Sequence, residues 1–292
     1  MNFVRNNILI LLFVVVLSAC SDDDTPTNGS PDSLTPSSFL FSGARLSKIA
    51  DRTTSEVAYV FDYDNTGMLS SVQSPSLVYD VSPSPFTLAY TSRAGLYSDR
   101  WNSFRFNADG QISQCHHLIS SSDGSSCDIA FSLNYQGRHL LSVYASGTGF
   151  ATDDSNRLVA WSYNQSVTLT WRDGNITLVS MSESEQLGGT TLNEHNYSYD
   201  FTYGSTANNS HQYTLAQSDP LGQLQVFAVL GLLGDASDRI PTSCNIVYKR
   251  NVVNGQDLGY ETESILLRVS QNANSTISSE SSSANNWLYS YQ

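Results

Sequence analysis

Side chains able to carry acid–base chemistry, hold a metal or stack on a ligand occur in this chain, but few are spaced to act together. Glu183 and Glu185 lie two residues apart in an alternating stretch, so a strand would put both carboxylates on one face. A retaining glycosidase uses such a pair. Same-face carboxylates in a polar strand also mark a solvated sheet edge, where their charge discourages edge-to-edge pairing, and the composition favours that second reading. The five histidines are scattered, and the adjacent His116 and His117 would point to opposite faces of a strand. Asn107-Ala108-Asp109-Gly110 and Asp153-Asp154 offer oxygen ligands, yet too few for a calcium loop, and turn chemistry accounts for them. No nucleophile elbow, phosphate loop or zinc spacing is present. The sequence thus assigns no catalytic residue, no metal and no cofactor.

Aromatic residues are the stronger lead. Tyr197, Tyr199, Phe201 and Tyr203 alternate, which places four aromatics on one face of a single strand. Exposed, they would stack on sugar rings. Turned inward, together with Tyr59, Phe61 and Tyr63, they would fill a curled sheet, and this second use is favoured because aromatics are ordinary strand residues. Cys115 and Cys127 flank the turn-rich stretch 120–125 and fall on adjacent strands of one hairpin. Opposed positions would allow a disulfide, whereas another register leaves two separate buried thiols; both remain open. Cys244 has no partner in either case.

The elements that must position these residues are hairpins. Tyr59-Val60-Phe61-Asp62-Tyr63 runs into Asp64-Asn65-Thr66-Gly67 and leaves through Met68 to Val72, with period-2 alternation on both sides of the turn. Residues 104–113, 135–143 and 170–177 vary the same unit without constant spacing, so no strict solenoid is expected. The fold class predicted is all-β, a large antiparallel meander of roughly fifteen strands curled into a barrel-like or open sheet. One short buried helix is expected near residues 221–234, with Asp219 as N-cap, Pro220 at the first position and apolar residues all round. Residues 270–285, rich in Ser and Asn, are expected to be mobile. Trp287, Tyr289 and Tyr291 alternate as a last strand paired inside the sheet.

The chain of 292 residues has a net charge of −13, and without a basic stripe it excludes nucleic acid as a partner. Arg5, the apolar run 8–17 and Leu17-Ser18-Ala19-Cys20 match a lipoprotein signal peptide over residues 1–19, with Cys20 as the lipidated residue. Ser21, Asp22, Asp23 and Asp24 resemble the acidic tag that exports Bacteroidetes lipoproteins to the cell surface. Residues 20–38 form the lipidated cysteine and a flexible tether, in which Asp32-Ser33-Leu34 resembles the O-glycosylation tripeptide of the same bacteria. Residues 39–292 are expected to make one β domain.

Trp171-Arg172-Asp173-Gly174-Asn175-Ile176, the tyrosine-rich hairpins, and the stretch from Leu230 to Ser237 followed by Ile240-Pro241 resemble a family of Bacteroidetes surface lipoproteins of unknown function with a porin-like β fold. The resemblance spans about Gly43 to Val269 and departs in the proline-interrupted stretch 75–85 and in the C-terminal tail. It implies an outer-membrane protein facing the cell surface and transfers no catalytic residue. The function expected is non-catalytic binding, with a membrane partner through the lipid and a glycan or another surface protein as ligand. A structural component and a glycoside-active enzyme are the alternatives.

Overall fold

The computed structural model describes residues 40–292 apart from 42, 93, 94, 154, 156 and 284. The signal peptide, Cys20, the acidic stretch Ser21 to Asp24 and the tether lie outside the described residues. Strands form where aromatic and β-branched residues alternate with Ser, Thr and Asn. The first nine are β1 (Leu40–Phe41), β2 (Ala44–Asp51), β3 (Val57–Tyr63), β4 (Leu69–Gln73), β5 (Val78–Pro83), β6 (Phe86–Thr91), β7 (Tyr97–Phe106), β8 (Ile112–Ser121) and β9 (Ser126–Gln136). Longer strands follow as β10 (His139–Thr152), β11 (Leu158–Arg172), β12 (Asn175–Leu187), β13 (Thr190–Ala207) and β14 (Arg239–Val253). The set ends with β15 (Gln256–Asp257), β16 (Glu261–Leu266), β17 (Arg268–Gln271), β18 (Ile277–Ser281) and β19 (Asn286–Tyr291).

Each strand from β2 to β14 pairs antiparallel with the next, β19 returns to β2, and β18 bridges β17 and β19. The sheet is therefore the expected curled meander. At its seam β16 pairs with β14 and β17 with β18, while the chain itself joins β16 to β17 through Leu267, whose N–H donates to the Thr242 carbonyl at 2.8 Å. Among the described residues the seam carries no further ladder, so the sheet curls without closing. Turn chemistry sets the hairpins. Asp64 Oδ1 accepts from the N–H groups of Thr66 and Met68, and Gly67 at φ +83° reverses the chain. Asn107 repeats this with Asp109 and Gln111.

Between β13 and β14, residues 208–238 turn into the curled sheet and plug it. The plug contains α1 (Leu215–Ser218), a 3₁₀ turn (Asp219–Leu224) and α2 (Gln225–Val229). Leu221, Leu224, Phe227, Val229 and Leu230 are fully buried, as an all-round apolar segment requires. The short buried helix expected near residues 221–234 is present as the 3₁₀ turn and α2, with different bounds. Helical structure begins at Leu215, capped by Thr214 with Gln217 reciprocating, and Gly222 at φ +56° breaks it before it resumes for one turn. At the base, a side chain on Gly234 would run into the Arg138 carbonyl, which only glycine's lack of a Cβ prevents. Arg138 in turn pairs with Asp235 at 2.8 Å.

Residues 270–285 also differ from expectation, because they hold all of β18 and the end of β17. Glu280 is buried and accepts from the N–H of Leu215 at 2.7 Å, the N–H of Ala216 at 2.9 Å and the Tyr289 hydroxyl at 2.8 Å. This carboxylate ties the segment to the first turn of the plug. Tyr291 of the last strand donates to Gln212 of the plug at 2.9 Å.

Candidate functional site

The plug determines which face of each strand can meet a ligand. Tyr197, Tyr199 and Phe201 are buried on the inner face, and half-buried Tyr203 packs beside them. Tyr199 donates to Asp219 of the plug at 3.0 Å, and Tyr203 to the Ile176 carbonyl at 2.6 Å. The four are core residues and not a stacking platform, because β13 turns its odd positions toward the plug. Residues 211–216, which follow β13, begin the plug.

Glu183 and Glu185 share the inner face, as their spacing implied, but not a solvated edge: β12 is paired on both sides. Trp161 Nε1–H donates to Glu185 at 2.7 Å, and Asn193 donates to its other oxygen. Tyr163 and Gln165 each reach Glu183 at 3.3 Å. Burial pushes the Glu185 carboxyl above the usual range, while the Trp161 and Asn193 hydrogen bonds pull it back. Both acids are thus engaged by neighbouring side chains of the wall. On the opposite side, buried Asp99 meets His117 Nε2 at 2.7 Å, and His117 Nδ1 meets Gln223 of the plug at 2.7 Å. His116 points outward to Asp128 at 2.8 Å, on the other face as adjacent strand residues must be. Among the described residues no group of three or more His, Cys, Asp or Glu could hold a metal.

Cys115 and Cys127 do not form the disulfide. Cys115 stands opposite Phe131 and Cys127 opposite Ile119, so the register separates them by four positions, and both thiols are free. Burial pushes the Cys127 and Cys244 thiols up to about 12, which leaves them inert.

The feature that remains is on the outer face. A cavity of about 340 Å³ lies across β10 to β13. Tyr144, about half exposed, is its tall wall, and Asn164, Ser166, Ser182 and Ser184 make the floor. Glu194 and Asn196 close the other side, with Glu194 held by Arg250 at 2.9 Å, and Gln165 and Glu183, hydrogen-bonded to each other, also border the floor. The register makes this trough: Tyr144 stands opposite Ser166, Ser166 opposite Ser182, and Ser182 opposite Asn196. The sequence does contain the signal, polar residues at i and i+2 in neighbouring hairpins, but strand pairing alone aligns them into rows.

Fold and site together describe a plugged, curled antiparallel sheet with an apolar inside and a polar trough outside. No protein-family model matches the chain, and no curated protein matches it. Among solved structures it is similar to a porin-like protein from Bacteroides uniformis, at 14% identity and a TM-score of 0.51, covering 88% of this chain and 100% of that one. It is also similar to a porin-like protein from Bacteroides vulgatus, at 12% identity and a TM-score of 0.49, covering 85% and 98%. The first likeness supports the fold, a porin-like β architecture.

Proposed function

We propose that this protein is a lipid-anchored outer-membrane protein that faces the cell surface and binds a ligand there without catalysis. Cys20 carries the lipid in this proposal, and Ser21 to Asp24 direct export. One observation supports binding over conduction: the inside of the sheet is filled by residues 208–238 of the same chain, which leaves the outer face for a partner. That outer face is polar. Successive outward positions of β11 are Ala160, Ser162, Asn164, Ser166, Thr168 and Thr170, with no sustained apolar band of the kind a membrane-spanning barrel turns to lipid. The N-terminal lipid then supplies the membrane contact.

The test combines anchoring and conduction. Cys20→Ala should release the protein from the membrane fraction, and protease added to intact cells should digest the wild type. Purified protein added to a planar bilayer should give no channels. Resistance to protease would move the protein to the inner leaflet, and single-channel currents would replace binding by transport.

A structural or assembly role has one observation behind it. Among the described residues strand β16 is paired on one side only, and it ends on the exposed Leu266 with the exposed Leu258 and Tyr260 just before it. A second copy docking there would give a dimer in sedimentation, which Leu266→Lys should dissociate.

A further inference from the structure

We infer that the trough across β10 to β13 binds a neutral oligosaccharide. This rests on the binding role proposed above and names the ligand class for that face. Among the described residues, no side-chain hydrogen bond within the protein engages Asn164, Ser166, Ser182 or Ser184, although all four line the same cavity. Hydroxyls and amides both donate and accept, and sugar hydroxyls need both. Beside them Tyr144 presents an aromatic face to solvent, the complement of the apolar C–H face of a sugar ring.

Other ligand classes fit less well. A phosphate or sulfate would want converging cations, yet the nearby Arg250 is already paired with Glu194, and the chain is strongly acidic. An extended peptide would need unpaired backbone, and each floor strand is hydrogen-bonded on both sides. An apolar ligand would bury unsatisfied serine hydroxyls. The row Tyr144, Ser166, Ser182, Asn196 crosses three strand spacings of about 4.8 Å, a run of about 14 Å that suits a short oligosaccharide better than one ring.

The experiment uses the full-length lipoprotein in a detergent without a sugar headgroup, applied to an array of neutral glucans, mannans, galactans and xylans beside sulfated and uronic-acid glycans. Binding is expected to one or more neutral oligosaccharides, with little to the charged set. Tyr144→Ala should weaken it about tenfold or more, and Ser182→Tyr, which fills the floor at an exposed position, should abolish it; both variants should melt with the wild type. Leu158→Ala, outside the trough, should bind normally. Binding confined to charged glycans would overturn the inference, as would neutral-glycan binding that survives both trough variants. A surface-exposed protein that binds no glycan would also overturn it and leave the surface-binding role standing with another ligand.

Discussion

Strands β10 to β14 carry two faces that differ in almost every physical respect. The inner one sets Trp161, Val167, Met181, Tyr199 and Ile246 against a plug drawn from the same chain. The outer one sets Ser166, Thr168, Ser182 and Asn245 against water, with Tyr144 the large aromatic among them. One period-2 pattern writes both faces, so a one-residue slip in any strand would exchange core for surface. The difference shows how one architecture can serve opposite ends. Apolar residues turned outward and a wet lumen make a pore, while apolar residues turned inward around a plug make a scaffold whose outer surface is free to evolve contacts.

The comparison breaks most readily at the plug. Phe227 is fully buried and packs edge-on against Trp101 and Phe104 at 5.1 and 5.4 Å. Phe227→Ala should cost about 3–5 kcal/mol, read by chemical denaturation, because it removes a fully buried ring and leaves a cavity. A loss below about 1 kcal/mol would mean that the plug does not anchor the sheet.

The next effect is polar. Glu280→Ala leaves the Ala216 N–H and the Tyr289 hydroxyl without their carboxylate acceptor and the Leu215 N–H with only the longer bond to Tyr289, and should cost about 2–4 kcal/mol. Amide hydrogen exchange at Leu215 and Ala216 should quicken before exchange elsewhere does. Unchanged protection there would detach Glu280 from the plug.

A smaller effect appears with pH. Burial raises the Glu280 and Glu185 carboxyls, so each takes up a proton on folding across the window between its ordinary and its folded value. Their contribution is complete below about pH 4.5 and declines as pH rises through the folded values. Asp51, held low by the N–H groups of Asn286 and Thr54, works in the other sense and loses its contribution as pH falls below the usual carboxylate range. The melting temperature should therefore rise from pH 8 to pH 5 and fall again in stronger acid. Glu185→Gln should flatten the first limb; an unaltered slope in that variant would remove Glu185 from the explanation.

Much of this was legible in the sequence. Alternation and Asp/Asn/Gly turns announced the meander, and the apolar-rich stretch 221–234 announced a buried helical segment. The helix boundaries were not, because Gly222 breaks the helix only where Asp219, Gln223 and Gln225 must reach separate walls at Tyr199, His117 and Tyr59. The order of residues 270–285 was hidden because Ser and Asn signal mobility unless a distant segment supplies partners, as Gln212 and Leu215 do. The trough and the missing disulfide were hidden for one shared reason. Both depend on register, and register is fixed by which strands meet rather than by any one strand's composition.

The most direct measurement removes the same side chain from the two faces and compares the melts. Tyr199 is 2% exposed on the inner face, and Tyr144 is 53% exposed on the outer one. Tyr199→Ala should cost about 3–5 kcal/mol, in line with other large core truncations, and Tyr144→Ala should stay within about 0.5 kcal/mol of the wild type. Equal losses at the two positions, or a larger one at Tyr144, would contradict an apolar inside and a ligand-facing outside.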